Sequence, residues 1–217
     1  KYEILYRDED LCVIHKRAGL AVQSARASVP DLMSMLRNDL LEEGMKNPYL
    51  GLVNRLDQPV EGILLVAFNE KAAADLSRQV ADHIHMEKWY QALVCGKPSA
   101  RSGTLVDYLL KDARNNLSKV VPEGTRGSKR SELTYEVMES WEDQTLLKIR
   151  LLTGRHHQIR VQLSHAGMPI VGDAKYGKGG GQLCLCSFKT SFRHPRTGRQ
   201  MTYDCLLYTS DAADDLI

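Results

Sequence analysis

Asp57 sits within Asn54-Arg55-Leu56-Asp57-Gln58-Pro59-Val60-Glu61-Gly62, and the apolar run Ile63-Leu64-Leu65-Val66-Ala67-Phe68 follows at once. A carboxylate two residues from a guanidinium, on a segment stiffened by proline and closed by glycine, is a candidate for carboxylate-dependent chemistry. The proline disfavours helix at Gln58, and Gly62 can supply a positive φ where the turn needs one. The competing reading is that Asp57 only caps a turn, as aspartate often does. The run behind it is short, apolar and bounded by turn residues, which predicts a buried strand that would hold the loop rigid.

The other residues with chemical potential point to structure rather than to metal. Five cysteines at 12, 95, 184, 186 and 205 are scattered and odd in number. That usage predicts a reducing, cytoplasmic setting. Cys184 and Cys186 would share one strand face, but no second Cys-x-x-Cys or histidine pair completes a zinc set, so both are expected in the core. As a metal pair His83 and His85 lack further ligands, and both are expected at a loop or edge. His156 and His157 would point about 100° apart on a helix and so make a poor chelating pair. Lys178-Gly179-Gly180-Gly181 lacks the Gly-Lys-Ser/Thr and the strand-to-helix setting of a phosphate loop, and reads as a connector.

At 217 residues, with 43% hydrophobic and 26% charged residues, the chain can bury a substantial core. No apolar run approaches the roughly 18 residues of a membrane helix, and no secretory signal opens the chain, so no membrane association is expected. The first residue is not Met, so a trimmed or lost start is expected. The net charge of +2 rises to +5 without residues 207–217, whose three aspartates face no base. Residues 111–130 hold six Lys/Arg against two acids, and Lys189, Arg193, Arg196 and Arg199 stand together without an acid in 186–200. Such clusters on a near-neutral chain suit a polyanion, although either alone is more ordinarily a solvated surface.

The elements that must position these residues follow in order. Tyr2–Tyr6 and Asp10–Lys16 predict two strands, with the alternation around Cys12 giving the second its apolar faces. Ser28-Val29-Pro30-Asp31 starts a helix with Pro30 near its first position; Leu32, Met35, Leu36, Leu40 and Leu41 form the apolar stripe and Gly44 the end. A second helix runs from Asn69-Glu70 to about Val80, burying Ala72, Ala73, Leu76 and Val80. Met86–Cys95 is a strand closed by Gly96. Residues 105–120 predict a hairpin with a basic tip, then a loop over 122–130. Ser131–Met138 and Thr145–Leu152 should pair antiparallel, and a helix is expected from about His156 to His165. Gln182–Phe188 and Gln200–Cys205 are strands joined by a turn at His194-Pro195-Arg196-Thr197-Gly198. Leu207–Ile217 has no strand pattern and is expected to be a foreign or disordered tail beyond a catalytic domain spanning 1–206.

Three stretches of this chain resemble the motifs of the RluA-like pseudouridine synthases. The strand ending Lys16-Arg17-Ala18-Gly19 is similar to the first, with Arg17 in place of proline. Lys88-Trp89-Tyr90-Gln91-Ala92-Leu93-Val94-Cys95-Gly96 matches the second almost position for position. Thr153-Gly154-Arg155-His156-His157-Gln158-Ile159-Arg160, continued by Gly172-Asp173 and Tyr176-Gly177, matches the third and is the most specific. The Asp57 segment resembles the family's catalytic loop, His-Arg-Leu-Asp followed two residues later by Thr-Ser-Gly. It departs at Asn54 and at Val60-Glu61, and a later departure puts Cys186 where histidine is usual. The resemblance covers roughly Tyr2 to Cys205. It implies an α+β fold of mostly antiparallel sheets side by side with flanking helices, the pseudouridine synthase catalytic fold.

The implied reaction converts uridine to pseudouridine within ribosomal or transfer RNA, by breaking the N1–C1′ bond, turning the uracil and joining C5 to C1′. Asp57 falls on the catalytic aspartate. Its carboxylate would attack C1′ or take the 2′ proton, and both routes stay open. Either requires an ionised carboxylate in a desolvated cleft, where burial alone would raise its pKa, so a partner cation is expected. Arg160 is the candidate, with Arg155 the alternative. Tyr90 would pack on the uracil and help remove the C5 proton, Leu185 would wall the pocket, and Arg55 and Arg155 would contact substrate. The target uridine would have to be everted from its stack. Neither metal nor organic cofactor is implied, and a monomer is expected. Two rivals remain: a non-catalytic RNA-binding module with a decayed site, and a carboxylate-dependent hydrolase, which lacks a second acid at a recognisable spacing.

Overall fold

The computed structural model describes residues 2–24 and 29–205, so the expectation for a tail at 207–217 and that for Ser28 lie outside the described residues. The chain forms two compact units, one from the segment up to Lys88 together with the segment from Ser187, the other from Trp89–Cys186.

The first unit contains β1 (Tyr2–Arg7), β2 (Leu11–Lys16), α1 (Leu32–Glu42), β3 (Gly51–Leu52), β4 (Glu61–Ala67), α2 (Glu70–Asp82), most of β10 (Leu185–Arg193) and β11 (Gln200–Asp204). β2 pairs antiparallel with β1 on one side and β4 on the other, and β11 pairs antiparallel with β10. All six residues of β2 are buried, His15 and Lys16 included. The alternation expected around Cys12 is therefore absent, because a strand covered on both faces has no solvent side to reserve for polar groups. Leu11, Val13, Ile63, Leu65 and Ala67 form the core with Ala72 and Leu76 of α2, Met86 and Phe192.

The two helices start where the sequence places them, with small differences in detail. Asn69 caps α2 by accepting from Ala72 N at 2.8 Å, and Ala72, Leu76 and Gln79 recur on its buried side. The cap of α1 is Asp31, accepting from Ser34 N at 2.8 Å, so Pro30 precedes the cap rather than opening the helix. Leu32, Leu36 and Leu40 are buried, whereas Leu41 is exposed because it lies about 100° round the helix from Leu40.

The second unit is an antiparallel sheet in the order β5 (Glu87–Cys95, all but its first two residues), β9 (Gln144–Leu151), β8 (Lys129–Ser140), β6 (Ser102–Asp112), β7 (Leu117–Val121). The expected pairing of 131–138 with 145–152 and the hairpin over 105–120 are both present. α3 (Gln158–His165) packs on β6 and β7 and starts two residues later than expected, since His157 takes a left-handed conformation at its N-terminus. β10 starts at Leu185 rather than Gln182. No helix among the described residues is long and apolar enough to cross a membrane.

Gly62 shows why backbone space matters beside the Asp57 loop. Its φ is +132°, and a Cβ there would lie 2.4 Å from the carbonyl oxygen of Ser187 and 2.6 Å from its nitrogen. Close approach of β10 therefore adds to the turn requirement the sequence suggested. Gly167 has φ +78° with nothing within 4 Å of the same position. Gly62→Ala should lower unfolding stability by about 2–4 kcal/mol and Gly167→Ala by only about 1 kcal/mol, read from urea denaturation midpoints. Equal losses would show that the β4–β10 approach imposes no steric demand.

Candidate active site

Asp57 lies on the loop between β3 and β4, half-buried, with buried Leu56 and Val60 anchoring it on either side. Val60 N donates to Asp57 O at 3.0 Å, closing the turn over Gln58-Pro59. Upstream, Val53 N donates to Leu65 O at 3.1 Å and Leu65 N donates to the side-chain oxygen of Asn54 at 2.9 Å. Asn54 is buried and thus fastens the loop to β4, a role the sequence did not suggest for this departure from the motif.

On the other side the loop is held by Lys16, the last residue of β2. Its side chain is fully buried, and Nζ donates to the carbonyls of Leu20 at 2.8 Å, Arg17 at 3.1 Å and Gln58 at 3.1 Å. All three ammonium protons thus have acceptors, which is what makes burial of the charge tolerable. Burial still pushes the Lys16 pKa down to about 8, while the charges of Glu61 and Asp57 pull it upward. Gly19 N donates to Gln58 O at 2.9 Å, and the Gln58 side-chain amide returns a bond to Gly19 O at 3.1 Å. The residue after Asp57 is therefore fixed to the 17–20 segment by its backbone and its side chain.

The remaining sequence candidates divide between the units. Arg55 is exposed in the first unit, near Asp57 in the chain. Tyr90, Arg155, Arg160 and Leu185 belong to the second. Tyr90 is buried on β5 opposite Ile149, and Leu185 is buried at the start of β10. Arg155 is exposed, its Nε donating to Arg130 O at 3.2 Å. Arg160 is buried on α3 and makes a two-pronged contact with Asp173: Nε to Oδ2 at 2.8 Å and Nη2 to Oδ1 at 2.7 Å. Its guanidinium carbon also lies 5.2 Å from the Tyr176 ring centroid.

The third motif contains Asp173 but does not by itself suggest a role for it. It is 1% exposed, and burial alone would raise its pKa. The Arg160 hydrogen bond and the backbone N–H groups of Lys175 and Tyr176 outweigh that and hold the carboxyl below the usual range. The motif's other residues frame the same helix end. Gln158 Oε1 accepts from Thr153 Oγ1 at 2.8 Å and from Arg155 N at 2.9 Å, while its amide donates to Glu132 O at 3.1 Å. His156 and His157 precede the helix, so instead of pointing about 100° apart their rings stack at 3.7 Å between centroids; their contacts include Ser118 and the Tyr176 hydroxyl.

The two basic clusters fare differently. Lys111, Arg114, Lys119, Arg126, Lys129 and Arg130 are all exposed on β6–β8 and their connections. Arg130 among them also pairs with Glu132 at 2.5 Å. In the second cluster Arg196 pairs with two acids, Asp10 at 2.6 Å and Glu9 at 2.9 Å. Its charge is already matched by acids remote in sequence, which weakens the polyanion reading there.

The model of the RNA pseudouridylate synthase family matches residues 10–165. The chain belongs to that family. Among its relatives, an uncharacterized RNA pseudouridine synthase, YlyB, of Bacillus subtilis is 33% identical over 94% of this chain and 69% of its own length. A ribosomal large subunit pseudouridine synthase C of Pasteurella multocida is 34% identical over 92% of this chain and 62% of its own length. The chain thus spans about two thirds of such relatives. The solved structure of human RNA pseudouridylate synthase domain containing 4 superposes with a TM-score of 0.79 at 21% identity, covering 98% of this chain and 91% of that one. The α+β pseudouridine synthase fold implied by the motifs is therefore the fold observed.

Within this pseudouridine synthase fold the Arg160–Asp173 pair has a definite pH signature. A carboxyl whose folded pKa is depressed stabilises the fold above its unfolded value near 4, and that contribution is lost as pH falls through the folded value. Asp173→Asn should lower stability by about 3–5 kcal/mol at pH 7, because it takes a charged, two-oxygen acceptor away from a buried guanidinium. Urea denaturation of both proteins should show the difference shrinking as pH falls below about 4; a difference independent of pH would rule out the ion pair as its source.

Proposed function

We propose that this protein isomerises uridine to pseudouridine in RNA, with Asp57 as the group that acts at C1′ or at the 2′ position. Membership of the RNA pseudouridylate synthase family supports the reaction class. The observation that carries the assignment of Asp57 is its loop, tied to β2 through Lys16 and to β4 through Asn54. A carboxylate held this way has its approach to a substrate atom set in advance, which is the geometric contribution an enzyme makes to such a step.

Tyr90 is assigned to the uracil face and the C5 proton, Leu185 to the apolar wall, and Arg55 and Arg155 to substrate contact. Arg160 is assigned the cationic role, its guanidinium oriented by Asp173. Large-subunit ribosomal RNA is the favoured substrate, since relatives named for that RNA align over most of the chain; transfer RNA is the other candidate. The exposed basic residues of β6–β8 suit RNA phosphates. A monomer working in the cytoplasm, without metal or organic cofactor, completes the proposal.

The reaction replaces the C5–H bond by C5–C1′, so tritium at C5 of uridine is released to water. Asp57→Asn should release none from a labelled large-subunit ribosomal RNA transcript while retaining filter binding of that RNA. Equal release by the variant would refute the role of Asp57, and no release by either protein would favour an RNA-binding module. Arg160→Met should slow release by about a hundredfold or more. Tyr90→Phe should leave binding intact and slow product formation; an unchanged rate would limit the tyrosine to stacking.

A further inference from the structure

Two positions at which the chain departs from its motif pattern, 44 residues apart, meet in the structure: Arg17 Nη1 stands 3.2 Å from Glu61 Oε1. The register of β2 and β4 brings them together. Lys16 is opposite Gly62, so one step past the ladder sets position 17 beside position 61. Glu61 has only 12% of its side chain exposed, against 55% for Arg17. A carboxylate so far withdrawn from water needs cations close by. Its Oε1 is also 3.0 Å from Nε2 of the buried His15, whose further neighbours are Glu3, at 4.0 Å, and Cys205.

The placement of this pair is what gives it consequence. Lys16 joins the 17–20 segment to the Asp57 loop from inside, through carbonyls. Gly19 and Gln58 join them through an amide bond and a side-chain return. Arg17 and Glu61 join the same two stretches at their other edge, with the arginine reaching in from solvent. Glu61 follows Asp57 by four residues across a turn stiffened by Pro59, so displacement of Glu61 is passed to Asp57 with little slack.

We propose that the Arg17–Glu61 pair is a latch that holds the 17–20 segment closed on the Asp57 loop, making both positioning residues for the reacting carboxylate. The proposal rests on the reading of Asp57 given above. Neither side chain performs chemistry; the latch sets the fraction of molecules in which Asp57 is correctly aimed. A half-exposed cross-strand pair of opposite charge contributes modestly, so the expected effects are small and specific.

The test is a double-mutant cycle with Arg17→Ala and Glu61→Gln, read by tritium release from C5-labelled large-subunit ribosomal RNA transcript and by amide exchange of Gly19. Each single change should lower kcat about threefold with KM unchanged, and the double change should be no worse than either single one. Arg17→Lys should recover most of the loss, and Gly19 N–H should exchange about threefold faster in both single variants. Multiplying losses, a change in KM alone (which would make Arg17 an RNA contact), or unaltered Gly19 exchange would each overturn the latch. Should Asp57→Asn retain turnover, the reading of Asp57 fails, while Gly19 exchange still decides whether the latch exists.

Discussion

The buried ammonium of Lys16 organises the first unit. Lys16 ends a strand that is covered on both faces, so its charge has no route to water, and it is held by the carbonyls of Arg17, Leu20 and Gln58. Those carbonyls belong to two separate stretches of chain, and the one on Gln58 lies 42 residues from Lys16 in sequence. Unsatisfied, the ammonium would shed its proton, and burial has already drawn its pKa down to about 8. Satisfied, it obliges the chain after β2 and the chain after Asp57 to take one arrangement. The placement of Asp57, the bonds between Gly19 and Gln58 and the meeting of Arg17 with Glu61 all presuppose it.

The second unit solves a similar problem with a different group. Arg160 is buried on a short helix, and a guanidinium there requires a planar acceptor with two oxygens in register. Asp173 supplies both, and is itself held by the N–H groups of Lys175 and Tyr176. The Thr153, Gln158 and Glu132 bonds fix the start of the same helix on β8. The dense motif around Thr153–Arg160 is therefore an account of one helix end: nearly every polar side chain in it satisfies a backbone group or another motif residue.

Much of the fold was legible because its signals are local. Asn69 announces α2 by its own hydrogen-bonding chemistry, and the spacing of Leu32, Leu36 and Leu40 shows which side of α1 is buried. The alternation in 131–138 and 145–152 gave an antiparallel pair. Local reading failed where burial was two-sided, as in β2, or where a stripe was drawn too wide, as at Leu41. It also gave the Arg196 cluster more free charge than it has, since Asp10 and Glu9 lie near the other end of the chain.

By itself the sequence carried the family in its motifs, the types and order of most elements though not the two-residue β3, and the aspartate on its loop, because these depend on residue identity and on periods of two or 3.6 along the chain. It could not determine the partners of the buried charges. Asp173 for Arg160, Gln58 for Lys16 and Arg17 for Glu61 are set by strand register and by the closing of loops over distances at which spacing carries no information. Only the tertiary structure decided those pairings, because a charge withdrawn from water must accept whichever opposite charge or dipole the folded backbone brings within reach.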